Sequence, residues 1–139
     1  MDYITPAVDL MCAQINSLKP IAPTVLPASQ AADPKTLQLE YPQIVVQLPA
    51  NVDLPTYRNA QAGLYSTHID FYYDLQLQQS LLEALAYAKY VLMRLQLSKY
   101  PCRYVRGSQN TPSPVADTTT SRQLWHGVLL SNYEIIERG

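Results

Sequence analysis

Residues 65 to 75 alternate without a break. Tyr65, Thr67, Ile69, Phe71, Tyr73 and Leu75 fall on one side, and Ser66, His68, Asp70, Tyr72 and Asp74 on the other. A period of two marks a strand, because successive side chains point to opposite faces of a sheet. One apolar side and one polar side predict a half-buried antiparallel strand with one wet face.

The period changes after Ser80. Ser80-Leu81-Leu82-Glu83 reads as a capping box, and Leu81, Leu85, Ala88, Leu92 and Leu95 then share one face at helical spacing. Ala84, Ala86 and Ala88 favour that helix and let a sheet approach it closely. It is predicted to end near Ser98 to Pro101. An earlier helix is capped by Thr5, with Pro6 at its first position, and puts Val8, Met11, Cys12, Ile15 and Leu18 on one face. Lys19-Pro20 stops it.

Between these helices the chain is extended. Residues 20 to 36 hold Pro20, Pro23, Pro27 and Pro34 and read as a surface arm with room for one edge strand at Thr24 to Leu26. Leu37 to Tyr41 and Gln43 to Leu48 follow as strands, with Pro42 imposing a bulge or edge position between them. Asn51 to Ala62 reads as a polar connection. Beyond the second helix come a short strand at Cys102 to Val105, a long protruding loop from Gly107 to Ser121, and a last strand from Gln123 to Glu137. Two helices packed on one face of a mostly antiparallel sheet bury these stripes most simply. The predicted class is α+β, with 1–139 as one domain.

Composition narrows the function. A chain of 139 residues supports one core, and 47% hydrophobic content is too high for a disordered one. No apolar run approaches the ~20 residues of a membrane-spanning helix, and Met1-Asp2-Tyr3 opens no secretory signal. Charged residues, at 15%, are scarce, while Tyr numbers 11 against one Phe and one Trp. Tyr suits half-dry contacts, which favours a subunit that sits against neighbours. The alternative is that the Tyr rings line a small core with their hydroxyls at its rim.

Charge is segregated along the chain. Residues 1 to 83 carry eight acids against three bases, whereas Lys89, Arg94, Lys99, Arg103 and Arg106 lie in a stretch, 84 to 116, without any acid. In a ring, the basic side of one copy meets the acidic side of the next. The candidate contact residues are Arg94, Lys99, Arg103 and Arg106 on one side and Asp70, Asp74 and Trp125 on the other. An equal alternative is a solvated surface balanced by acids within the same subunit.

Little points to catalysis. His68 and His126 alone titrate naturally near neutrality. Ser66, His68 and Asp70 share a strand face, but such neighbours stand ~6.5–7 Å apart and roughly parallel, whereas a triad needs convergence. His68 with Asp70 lacks a third metal ligand. Cys12 and Cys102 read as two small buried hydrophobes in a cytoplasmic setting, with a single disulfide as the alternative. No phosphate loop or His-Glu-x-x-His pattern occurs. Trp125 and the Tyr rings suit base stacking, yet the strand face carries Asp70 and Asp74 instead of a basic surround. Near-zero net charge also argues against a general nucleic-acid binder. No catalytic, cofactor or metal residue is assigned, and no enzyme is expected.

The element order itself is informative. An N-terminal amphipathic helix, an extended arm, the strand His68 to Leu75, the helix Leu81 to Leu97, a strand, a loop and a last strand ending in Tyr133-Glu134-Ile135-Ile136 resemble the tail terminator (tail completion) proteins of tailed bacteriophages. The resemblance spans nearly the whole chain but is one of order and length, so no residue role carries over by identity. It implies a small α+β protein that forms a hexameric ring, caps the finished tail tube and joins it to the head connector. The implied partners are further copies of itself, tail tube and neck proteins, and a sheath protein where the tail contracts. It implies no cofactor and no membrane, DNA only as it passes the lumen, and residence in the virion after assembly in the host cytoplasm. Other readings are a head-closure adaptor or tail tube protein, a small-ligand-binding α+β domain using the wet strand face and Trp125, or an enzyme using His68 or His126.

Overall fold

The computed structural model describes residues 4–31, 41–53, 61–117 and 123–137. In chain order these form α1 (Ile4–Leu18), β1 (Thr24–Pro27), the single turn α2 (Ala28–Ala31), β2 (Gln43–Val46), β3 (Ala50–Asp53) and β4 (Gln61–Asp74). A 3₁₀ turn (Leu75–Leu77) leads into α3 (Gln78–Met93), and β5 (Cys102–Tyr104), β6 (Val115–Asp117) and β7 (Leu124–Glu137) complete the fold.

The alternating segment becomes the centre of the sheet. β4 and β7 pair antiparallel over 14 residues each, from Gln61 opposite Glu137 to Asp74 opposite Leu124. The sheet runs β1-β2-β4-β7-β5, with β3 also on β4 and β6 also on β7. Each central strand thus carries two short strands along its outer edge. Among the described strands only β1 and β2 run parallel. Between β2 and β3, Gln47 N–H still donates to the His68 carbonyl, but Ala50 already pairs with Ser66. Leu48 and Pro49 therefore stand opposite Thr67 alone. That is a bulge, where a proline without an N–H breaks no ladder bond.

One sheet face carries both long helices, so the α+β class and its two-layer packing hold. Ile69, Phe71 and Tyr73 of β4 and Leu129 of β7 meet Leu81, Ala84, Leu85, Ala88 and Leu92 of α3. Further along the same face, Tyr65, Tyr133 and Ile135 meet Ala7 and Leu10 of α1. The two clusters are separated by a buried polar pair. Thr67 Oγ1 donates to the Ser131 carbonyl (3.0 Å) and lies 2.8 Å from Ser131 Oγ. Gly127 lets the helix come this close, because a Cβ there would stand 3.2 Å from Leu81 Cδ1.

The inward face predicted for α3 is the one observed, but its start is not. The helix begins at Gln78 behind Leu77, with no side-chain cap, so Ser80 sits inside the first turn. The face of α1 is rotated from the expected one. Ala7, Leu10, Gln14 and Leu18 point inward, Met11 and Ile15 flank them, and Val8 and Cys12 face solvent. Gln14 breaks the apolar pattern yet is fully buried. The stretch read as a polar connection from Asn51 holds most of β3 and ends in the start of β4. The strand expected at Leu37 to Tyr41 falls mostly outside the described residues. The edge strand expected in the proline arm is β1. Likewise, the segment from Gly107 does not simply protrude: Gly107 turns with a φ of 79°, Asn110 bridges Leu130, and β6 pairs with β7.

Candidate functional site

Among the described residues no helix packs on the other face of β4 and β7. Residues of even number point there on both strands, because Asp70 pairs with Val128 and Tyr72 with His126. At its centre lies Asp70, only 5% exposed. His126 Nε2 lies 2.7 Å from Asp70 Oδ1, His68 Nε2 lies 3.0 Å from the same oxygen, and Gln47 Nε2 donates to Oδ2 at 3.0 Å. An ionised carboxylate only accepts, so both imidazoles donate their Nε2–H to it. Tyr72 stacks on His126, with ring centroids 4.7 Å apart and planes 10° from parallel. Burial pushes the Asp70 carboxyl upward, but hydrogen bonds from His126, Gln47 and His68 overcome this and hold it below its usual range.

This arrangement corrects two expectations. The polar strand face is not uniformly wet, since three donors converge on a buried carboxylate. His68 and Asp70, two residues apart on one strand, also do converge, because the imidazole leans along the strand to reach its neighbour. The third member, His126, comes from a different strand. Its place was hidden in the sequence, because only the β4–β7 register puts residue 126 beside residue 70. The group serves as a hydrogen-bonded node, with one acid orienting two imidazoles. Among the described residues no group of three His, Cys, Asp or Glu side chains is arranged to hold a metal ion. No helix among them is long and apolar enough to cross a membrane.

Beside the node the sheet face forms a trough of about 480 Å³. Its floor is Ser66, His68 and Leu130, with Leu48 in the β2–β3 bulge on one wall and Ser108 and Asn110 on the other. The seven residues singled out for contact do not gather around it. Asp70 is the node itself, and Arg103 crosses the same face to Glu134 (2.8 Å). Trp125 lies on the opposite face, packed against the main core with its Nε1–H donated to the Leu75 carbonyl at 2.8 Å. It therefore shapes no pocket with Asp70. Arg94 sits on the outer side of α3, 3.9 Å above the Tyr90 ring, and donates to the Tyr90 carbonyl. Lys99 and Arg106 are exposed on the connections that flank β5, and Asp74 is half-buried at the end of β4.

The fold is shared with solved proteins. It matches a chain of the structure described as "Virion of native gene transfer agent (GTA) particle" over 99% of this chain and 100% of that one, with a TM-score of 0.62 and 11% identity. A second solved chain matches over 96% of each, with a TM-score of 0.54 and 14% identity. At these identities the likeness is one of fold. No protein-family model and no curated protein matches the sequence.

Proposed function

We propose that this chain is a structural subunit of a phage-type virion, a tail terminator whose ring caps the tail tube and joins it to the neck. The observation that carries the reading is the end-to-end fold likeness to a chain of a gene transfer agent virion. Nearly every residue of both chains takes part, so the shared unit is the full length of this chain and not a common submotif. The element order gives independent support, since it resembles tail terminators from the first helix to the last strand. The chemistry agrees. Asp70, His68 and His126 are engaged with one another across a sheet face, and Leu82, Tyr87, Tyr90 and Met93 stand exposed together on α3, where a neighbouring protein has something to bind.

In this role the chain needs no cofactor. Its partners are further copies of itself, the tube, the neck connector and, in a contractile tail, the sheath. The decisive experiment removes the chain from cells that assemble the particle. Heads and tubes should then accumulate separately, and supplying the protein should restore joined particles. Normal joined particles in its absence would end this reading.

A further inference from the structure

We propose that the cavity beside the start of α3 binds an alkylammonium group, the chemistry of a lysine side chain or of a small aliphatic amine. The inference stands on this cavity alone and goes beyond the ring reading.

The cavity holds about 440 Å³, within the ordinary range of small-ligand sites. Ile21 comes to it from the turn after α1, Tyr73 from the end of β4, and Ser80, Glu83 and Tyr87 from α3. Tyr73 decides its character. The ring packs in the main core cluster and the residue is only 3% exposed, yet among the described residues its hydroxyl makes no hydrogen bond. That oxygen is not sealed in the core, unlike the amide of Gln14, so it opens into the cavity that Tyr73 lines. Burial pushes the hydroxyl up, which keeps it neutral. A buried polar group ordinarily has a partner, and here the only space for one is the cavity.

The lining chooses the ligand. Its polar side chains offer oxygens and no nitrogen: the carboxylate of Glu83 and the hydroxyls of Tyr73, Ser80 and Tyr87. Glu83 is also the one charged residue among them, and Pro20 and Pro42 add walls that lack an N–H. Such a set accepts hydrogen bonds, and an ammonium only donates them. Ile21, Leu77 and the Tyr87 ring give a carbon stem apolar surface, and a Tyr ring face also attracts a cation. Glu83 Oε1 already takes a long hydrogen bond from Gln79 Nε2, at 3.4 Å. The other oxygen is left for the ligand, which suits a point charge better than a two-pronged guanidinium. The positive end of α3 opposes a cation, but Gln78 stands more than a turn before Glu83. That helix end carries only about half a unit of charge, less than the carboxylate.

NMR of the full chain, titrated with n-butylamine and with n-butanol, tests the site. Butylammonium should give saturable shifts at Ser80, Glu83 and the ring of Tyr73. Butanol, with the same stem and no charge, should bind about tenfold more weakly, as the loss of a charged hydrogen bond implies. Glu83→Gln keeps the shape and removes the charge, and should weaken butylamine about tenfold as well. Tyr73→Phe deletes one oxygen and should also weaken it, by a smaller factor. Both variants should keep the wild-type circular-dichroism spectrum, since one side chain is exposed and the other keeps its ring. The capped tripeptide acetyl-Gly-Lys-Gly-amide separates the sources. Binding of the peptide assigns the site to a lysine of a partner protein, and binding of butylamine alone assigns it to a free amine. Butanol that matches butylamine, unchanged affinity in Glu83→Gln, or no saturable shift with either amine would overturn the proposal.

Discussion

His126 Nε2 lies 2.7 Å from Asp70 Oδ1, although 56 residues separate the two in sequence. The contact ties β7 to β4 on the side of the sheet opposite α1 and α3, and His68 and Gln47 complete it. Because the folded state holds the Asp70 carboxyl below its usual value of 3.8, the unfolded chain binds its proton first as pH falls. The contribution is fully present above the unfolded value and is lost as pH drops through the lower folded one. Wild-type protein should therefore lose stability as pH falls below the usual carboxylate value, more steeply than Asp70→Asn. Urea midpoints of both proteins across the range check this, and parallel curves would show that the carboxylate is not held as described.

Truncation of the α3 contact face should be costly. Leu92 is fully buried and Leu85 nearly so, and each Leu→Ala change should cost about 2–5 kcal/mol. Leu82→Ala, on the exposed side of the same helix, should cost less than about 0.5 kcal/mol in the monomer. Denaturant unfolding of the three variants separates the faces, and equal losses would mean that the helix is rotated.

How much of this was legible in the sequence depends on where the physics is local. The alternation of Tyr65 to Asp74 and the spacing of Leu81 to Leu92 are set by strand and helix geometry alone, and both inward faces came out as read, although the helix ends at Met93, short of the expected Ser98 to Pro101. The face of α1 was misread because Gln14 is polar yet buried, so the apolar residues Val8 and Cys12 made a better stripe than the true one. β3 and β6 are too short to show a period, and they exist because β4 and β7 offer long edges to pair with. Of the node around Asp70, the sequence held His68 but not His126 or Gln47. Those come from other strands, and register is a tertiary quantity.

The two cysteines should behave differently. Cys12 is exposed on α1, whereas Cys102 is buried in the second core cluster, where burial pushes its thiol up to about 11. Both are free, which removes the disulfide left open by the sequence. A thiol reagent at pH 8 should label Cys12 quickly in the folded protein and Cys102 only after denaturation, since the thiolate is the reactive form. Rapid labelling of both sites under native conditions would contradict the burial of Cys102.

Arg103 should matter little to the monomer. Its pair with Glu134 is short, at 2.8 Å, but the Arg side chain is largely solvent-exposed. Exposed ion pairs are typically worth ~0–1 kcal/mol, so Arg103→Ala should stay within that margin in denaturant unfolding. A larger loss would give the pair a structural weight that its exposure does not allow. Within the subunit, the acid partner of Arg103 is Glu134.

The central claim is that copies of this chain close into a ring. Native mass spectrometry of the purified wild-type protein, taken over a rising concentration series, tests it most directly. The account predicts one dominant closed species at six times the 15.6 kDa of the chain, with few open intermediates, because closing the ring satisfies every contact at once. A single 15.6 kDa species at every concentration would contradict it.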